Sequence, residues 1–254
     1  MKALLLVALA TPVLAQQQLP EELAITRSIV MQDADELESS ATFRFFKLPD
    51  QKQITAAGEF EYGVTDRWEL DAEVPYEFVN PNDAGAANGI GDVEVAARYG
   101  VVPLATNKPY ALDLGLGFGI PSGDQTHDLG EGRLTIKPFF TASEWLGPFN
   151  SQLNCGWQHA VTDGGDEPRD DFEYNIALVY PIRRCFLVLE GNGESNHQRT
   201  KYYVTPEVIW RPTKNLQFLV SVPLGVTGAA GDYGVVATVT LEFENLTGRG
   251  ADKD

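Results

Sequence analysis

Long apolar runs are what this sequence lacks most. Outside the extreme N-terminus nothing approaches the roughly 20 consecutive apolar residues of a helical membrane span, and the mean hydropathy of the 254-residue chain is −0.18. Helical transporters are excluded. Cysteine is scarce as well, with only Cys155 and Cys185, which rules out a disulfide-dense scaffold and a multi-cysteine zinc module. Cys155 falls mid-strand on an apolar parity and Cys185 at a short turn two strands on, so a bridge between them is geometrically difficult. Basic residues number 19 against 36 acids, a net charge of −17 that argues against nucleic acid as a partner. Three histidines, His127, His159 and His197, are scattered. There is no Gly-x-Ser-x-Gly, no phosphate loop and no His-Glu-x-x-His, so neither a catalytic residue nor a cofactor nor a metal site is expected. Glycine (24) and proline (15) are close to average usage, which leaves no room for low complexity.

What is present begins with an address. Lys2 supplies a positive start, Ala3 to Ala10 an apolar run, and Val13-Leu14-Ala15 small residues before a cut, predicting a signal peptide over 1–15 and Gln16 as the mature N-terminus. Residues 16–37 then form a periplasmic or lumenal segment, 38–244 a β-barrel and 245–254 a polar tail. Within the barrel region hydrophobicity has period two, the mark of strands with one apolar and one polar face. Over 67–79, Trp68, Leu70, Ala72, Val74, Tyr76 and Phe78 alternate with Glu69, Asp71, Glu73, Pro75 and Glu77. The same holds over 92–101, 172–182, 216–226 and 235–243, with noisier candidates at 39–48, 53–64, 110–120, 133–145, 149–160, 186–194 and 202–211. Together they predict an all-β, antiparallel up-and-down barrel of about twelve strands.

The connections sharpen the prediction, because a transmembrane barrel has short turns at one end and longer loops at the other. Thr65-Asp66, Gly147-Pro148, Arg183-Arg184 and 212–215 are short; 80–91, 121–132, 162–171, 195–201 and 227–232 are longer. Val102 to Pro109 and the first hairpin at Pro49 to Lys52 break the alternation. Candidate strands of about ten residues match what a tilted strand needs to cross a bilayer. Aromatics such as Tyr62, Trp68, Tyr76, Tyr99, Tyr110, Trp157, Phe172 and Tyr180 sit near strand ends on the apolar parity, as interfacial girdles require. An even strand number places both termini on one side, the periplasm of an exported bacterial barrel. Membrane lipid and lipopolysaccharide are then the outer partners.

With the apolar parity facing lipid, the other parity lines the lumen. The expected lining is Glu59, Glu61, Glu69, Asp71, Glu73, Glu77, Glu94, Arg98, Asp113, Arg133, Lys137, Glu173, Glu190 and Glu194, with Asp92, Glu207, Glu242 and Glu244 further acids and Arg44 and Arg211 further bases. So many carboxylates coexist only with water or paired bases. The lumen is expected to be wet and cation-favouring, or else plugged by its own ion pairs. The run Ala111, Asp113, Gly115, Gly117, Gly119 leaves a bare wall, giving local width, a seat for another segment such as 16–37, or tight curvature. Pro75, Pro138, Pro181, Pro206 and Pro223 are expected at strand ends or bulges. The loop Asp163 to Asp171 lacks the spaced ligands of a calcium hand and reads as a solvated acidic loop, and Asn245-Leu246-Thr247 as a coincidental glycosylation triplet.

Gly63-Val64-Thr65-Asp66-Arg67-Trp68-Glu69-Leu70, Val74-Pro75-Tyr76, Gly89-Ile90-Gly91-Asp92-Val93 and Gly117-Phe118-Gly119-Ile120-Pro121-Ser122-Gly123-Asp124 resemble the outer-membrane β-barrel family named after the meta-pathway of phenol degradation. Val204 to Val208 and Asn215 to Val226 extend the likeness over most of 53–243. The resemblance implies an outer-membrane transporter or channel, in some members encoded with pathways for aromatic compounds. It also implies a terminal aromatic, whereas here Phe243 is followed by Glu244 to Asp254. The function expected is passive admission of small solutes, among them aromatic or hydrophobic compounds, through a narrow acidic lumen. Two other readings stand beside it. One is a closed structural or adhesive barrel whose loops bind a partner or surface lipid; the other is a barrel-borne lipid hydrolase using Ser195 and His197.

Overall fold

The computed structural model describes residues 19–104, 108–162 and 168–247. The expected leader over 1–15, the loop acids Asp163, Asp166 and Glu167, and the last seven residues lie outside them. Fourteen strands follow in chain order: β1 (Leu37–Lys47), β2 (Gln51–Thr65), β3 (Trp68–Pro81), β4 (Ala87–Ile90), β5 (Val93–Val102), β6 (Tyr110–Ile120), β7 (Thr135–Leu146), β8 (Phe149–Ala160), β9 (Asp170–Ile182), β10 (Cys185–Ser195), β11 (Thr200–Thr213), β12 (Leu216–Ser221), β13 (Leu224–Gly225) and β14 (Tyr233–Phe243). β4 and β5 are one wall strand interrupted at Gly91-Asp92, since both pair with β3. β12 and β13 are another, interrupted at Val222-Pro223, where proline has no donor to give. The wall is therefore a closed antiparallel barrel of twelve strands.

Closure joins β1 to β14 in continuous register from Leu37↔Phe243 to Lys47↔Tyr233. Hydroxyls reinforce the seam from inside, Ser40 with Thr240 at 2.8 Å and Thr42 with Thr238 at 3.0 Å. β1 begins and β14 ends at the end of the barrel that carries the short turns, here the turn end; the opposite, loop end carries most of the longer connections. Arg183 (φ 58°) and Gly147 (φ 65°) supply the left-handed backbone that two of those turns require. The two expected exceptions hold: at the turn end β5 stops at Val102 and β6 starts only at Tyr110, and at the loop end 48–50 make a short connection.

Three expectations need correction. The proposed loop 195–201 shrinks to 196–199, because Ser195 and Thr200 pair in the ladder and join hydroxyls at 2.9 Å. β7 starts at Thr135, which leaves Arg133 in the loop before it. Pro75, Pro138, Pro181 and Pro206 lie within strands rather than ending them, each at the local cost of one ladder donor, and only Pro223 marks a break.

The outer surface is apolar. Leu70, Leu114, Ile176, Leu189, Val208 and Val220 leave about half of each side chain bare. Tilted or stacked ring pairs mark both rims: Trp68–Tyr99 (4.9 Å between centroids), Phe149–Tyr180 (5.1 Å) and Trp210–Phe218 (5.6 Å) at the turn end, Tyr76–Phe78 (5.1 Å) at the loop end. Among the described residues no helix is long and apolar enough to cross a membrane, which says nothing of a barrel. The apolar core lies inside, at the turn end. Leu19, Leu23 and Ile29 pack there against Ala177, Val179, Phe186, Val188, Ile209, Leu219 and Val236. At that end β9 and β10 are apolar on both faces, whereas β11, β12 and β14 still turn Arg211, Gln217, Thr240 and Glu242 inward.

Candidate functional site

The site is the barrel interior, and its first component precedes the barrel. Residues 19–36 run inside the wall as a re-entrant strap. At Asp35 the strap bonds the wall at the turn end, through its amide to the Gly63 carbonyl at 2.8 Å. Further in, Glu69 accepts the Gln32 amide (2.6 Å) and Gln152 the Ile29 amide (2.9 Å). At its deepest point the Glu190 carboxylate accepts the amides of Ala24 (3.0 Å) and Thr26 (2.9 Å) and the Thr26 hydroxyl (2.9 Å). The strap then returns to the turn end, where Gln217 accepts the Glu21 amide at 3.0 Å and Arg211 pairs with Glu21. The backbone groups of a non-helical, non-sheet segment inside a barrel need partners, and inward side chains provide them.

Below the strap's turning point the charges are dry. Arg98 donates to Glu69 at 2.8 Å and Asp113 at 2.9 Å, all three side chains at most 1% exposed, and to the Ser28 carbonyl at 2.7 Å. Arg27 of the strap reaches Asp71 at 2.8 Å. An amide belt crosses the opposite wall, Asn154 to Asn175 to Asn192, closed by the Thr205 hydroxyl. Arg211 also pairs with Glu242 at 2.9 Å.

Above the strap a chamber of about 150 Å³ opens, lined by Arg27, Arg44, Glu59, Glu61, Glu73, Lys137, Phe139 and Glu173 among others. Arg44 forks onto Glu73 (2.7 and 3.0 Å) and Lys137 meets Glu173 at 2.6 Å, every side chain between 22% and 28% exposed. Phe139 was not expected here, since an aromatic on the lumen parity breaks the rule for its strand. It stands between Gly115 on β6 and Gly156 on β8, and a Cβ at Gly115 would come within 2.0 Å of its ring. At Gly115 the glycine strip is thus a seat for a neighbouring ring, and at Gly119 for the Thr135 hydroxyl; Arg27 of the strap lies 4.6 Å from the ring centroid.

The expected lining residues therefore divide. Glu59, Glu61, Glu73, Lys137 and Glu173 meet in the chamber; Glu69, Asp71, Arg98, Asp113 and Glu190 are buried against the strap. Glu77 takes Thr55 (2.8 Å) and Gln53 (3.0 Å), and Glu194 pairs with Lys201 at 3.1 Å near the loop end. Glu94, opposite Glu73 in the ladder, is exposed to water. Arg133 is buried beside Glu131 (3.0 Å) in the loop 121–134, which Asp92 pins to the rim by accepting the Gly123 (2.9 Å) and Glu131 (2.6 Å) amides. In that loop hydrogen bonds from Thr126, then His127, hold the Asp124 carboxyl below its ordinary range. At the turn end Glu36 is pushed up to about 8 by burial and by its contact with Glu242. The strap residues Glu22, Arg27 and Gln32 were missed as site residues; the acid and base in that otherwise mixed stretch were their only signal. Ser195 bonds Thr200, not a histidine, and the two cysteines are free.

A closed twelve-stranded barrel with an apolar, ring-rimmed exterior and a charged interior defines a protein of the outer-membrane barrel class. Residues 77–243 match the family described as "Putative MetA-pathway of phenol degradation", and the chain belongs to it. The fold is shared with an outer membrane channel from Pseudomonas putida F1, at 13% identity and a TM-score of 0.64 over 84% of this chain and 97% of that one. KdgM porin (11% identity, TM-score 0.57, 81% and 99% covered) and NanC porin (11%, 0.55, 82% and 99%) are similar in the same sense. No curated protein matches the sequence.

Proposed function

We propose that this protein is an outer-membrane channel that admits small solutes passively, without catalysis. The observation that carries the reading is the inverted distribution of polarity: bare aliphatics and rings outside, ion pairs and a water-accessible chamber inside a closed wall. Such a cylinder is stable with lipid around it and water within it. Kinship in fold with outer membrane channels and porins supports the same location. The termini then face the periplasm and lipopolysaccharide surrounds the loop end. In the chamber five carboxylates, Glu22, Glu59, Glu61, Glu73 and Glu173, face three bases, Arg27, Arg44 and Lys137. That balance supports a preference for cations. Aromatic solutes, which the family description suggests, would meet the Phe46–Tyr203 pair on the inward parity toward the loop end and, in the chamber itself, the one ring of Phe139, already capped by Arg27; within the chamber charge, not aromatic stacking, is the stronger filter.

The experiment is conductance of the refolded chain in a planar bilayer under a potassium chloride gradient. Discrete steps with a cation-selective reversal potential are expected, moving toward zero when Glu59, Glu73 and Glu173 become glutamine. Anion selectivity would overturn the charge argument. The strap filling the turn end favours a second reading, a closed structural barrel, and silence from a folded, inserted protein would establish it.

A further inference from the structure

We propose that the barrel interior binds a divalent cation of calcium size where two carboxylate triads share Glu61. Glu22, Glu59 and Glu61 bring one oxygen each within 4.8 Å of one another, and Glu61, Glu69 and Asp71 do the same. The ladder forces this crowding, because Glu61 stands directly opposite Asp71 and Glu59 opposite Glu73 across β2 and β3. Like charges so placed repel unless something positive lies between them. The available bases are spoken for: Arg98 is divided between Glu69 and Asp113, Arg27 is held by Asp71, and Arg44 by Glu73. Among the described residues Glu22, Glu59 and Glu61 form no ion pair.

A second observation points to a ligand. Asp71 is only 6% exposed and its Oδ1 has no hydrogen-bond partner, while Oδ2 takes Arg27. The Oε1 of Glu22 is likewise buried and unsatisfied. Each triad thus owns one orphaned oxygen, and a buried anionic oxygen without a donor calls for a cation. The donor set is oxygen throughout, which selects a hard ion over zinc or copper. Coordination habit selects size: magnesium demands a near-ideal octahedron and keeps most of its waters, whereas calcium accepts six to eight oxygens in irregular all-protein cages such as clustered wall carboxylates. Glu22 belongs to the strap and the other ligands to the wall, so the ion fastens one to the other. The site goes beyond the channel reading and does not depend on conduction.

The test is calorimetric titration of calcium chloride into the refolded, chelator-stripped mature chain in detergent, with circular dichroism and heat-shifted gel migration confirming the fold. Saturable uptake of one ion per chain at this site is expected. Glu61→Gln and the isosteric Asp71→Asn should each weaken it about 10- to 100-fold, as loss of metal-site partners commonly does. Glu244→Gln, at the turn-end rim, should leave it unchanged. No saturable uptake by folded wild-type protein would overturn the proposal. So would wild-type affinity in Asp71→Asn, which decides alone if Glu61→Gln does not fold. Loss of uptake in Glu244→Gln with retention in Asp71→Asn would assign the ion to Glu36, Glu242 and Glu244 and overturn it equally.

Discussion

The two halves of the lumen solve the same problem differently. Both hold arginine or lysine against carboxylates on a barrel wall. In the turn-end half the strap excludes water and the Arg98 pairs are at most 1% exposed; in the loop-end half the Lys137–Glu173 pair keeps 22% and 28% of its side chains in contact with solvent. A buried pair is costly to break because its survivor keeps a charge it cannot hydrate, whereas a wetted pair is worth little. One half is built as a protein core, the other as a vestibule.

The largest effect should come from Arg98→Met, which strands Glu69 and Asp113 and should cost about 3–5 kcal/mol. Lys137→Met in the wetted half should cost about 1 kcal/mol or less. Urea unfolding in lipid vesicles compares the two, and equal losses would erase the distinction between core and vestibule. Next comes Glu190→Ala, which leaves the Thr26 amide and hydroxyl without their acceptor and the Ala24 amide with Glu207 alone, and should cost about 1–3 kcal/mol. Bilayer recordings of the same variant should show larger or noisier conductance, and an unchanged trace would mean that the strap does not limit passage. Gly115→Ala drives a methyl into the Phe139 ring and should cost a similar amount, about 1–3 kcal/mol. Adding Phe139→Leu should recover most of it if the glycine strip is a seat for that ring.

The smallest effect concerns pH. With Glu36 raised to about 8 from an ordinary value of 4.5, the folded chain holds a proton that the unfolded chain has released. Its contribution to stability is therefore present below about 4.5, falls as pH rises toward 8, and is absent above that. Glu36→Gln should flatten the urea midpoint between pH 5 and pH 8 by a small margin, because the group is partly exposed and screened. A steeper slope in the variant would reverse the sign assigned to this carboxyl.

The sequence made the wall legible because the wall obeys a two-residue rule. Period-two patterning from Trp68 to Phe78 and from Val235 to Phe243 reports which face meets lipid, and strand bounds followed to within a few residues. The interior was only half legible. Carboxylates on the lumen parity of β2 and β3 were plain, but the partners they take were not: the path of residues 19–36 depends on long-range bonds such as Thr26 to Glu190 that no local period encodes. Phe139 was hidden for a related reason, since its place is granted by Gly115 and Gly156 on two other strands. The apolar patch under the strap did leave a trace. Ile176 to Tyr180 and Phe186 to Leu189 are apolar on both parities, the pattern of a strand covered on both faces.

The seam between β1 and β14 carries a consequence of another kind. It joins residues as far apart in the chain as Ser40 and Thr240, so the contact that seals the cylinder is the last that synthesis makes available. Until then the sheet has two raw edges and the strap a lateral way in; afterwards it can enter only from the turn end. Folding dominated by such distant contacts is slow, and a chain cut short anywhere before Phe243 is left with unpaired edges that invite association with another copy.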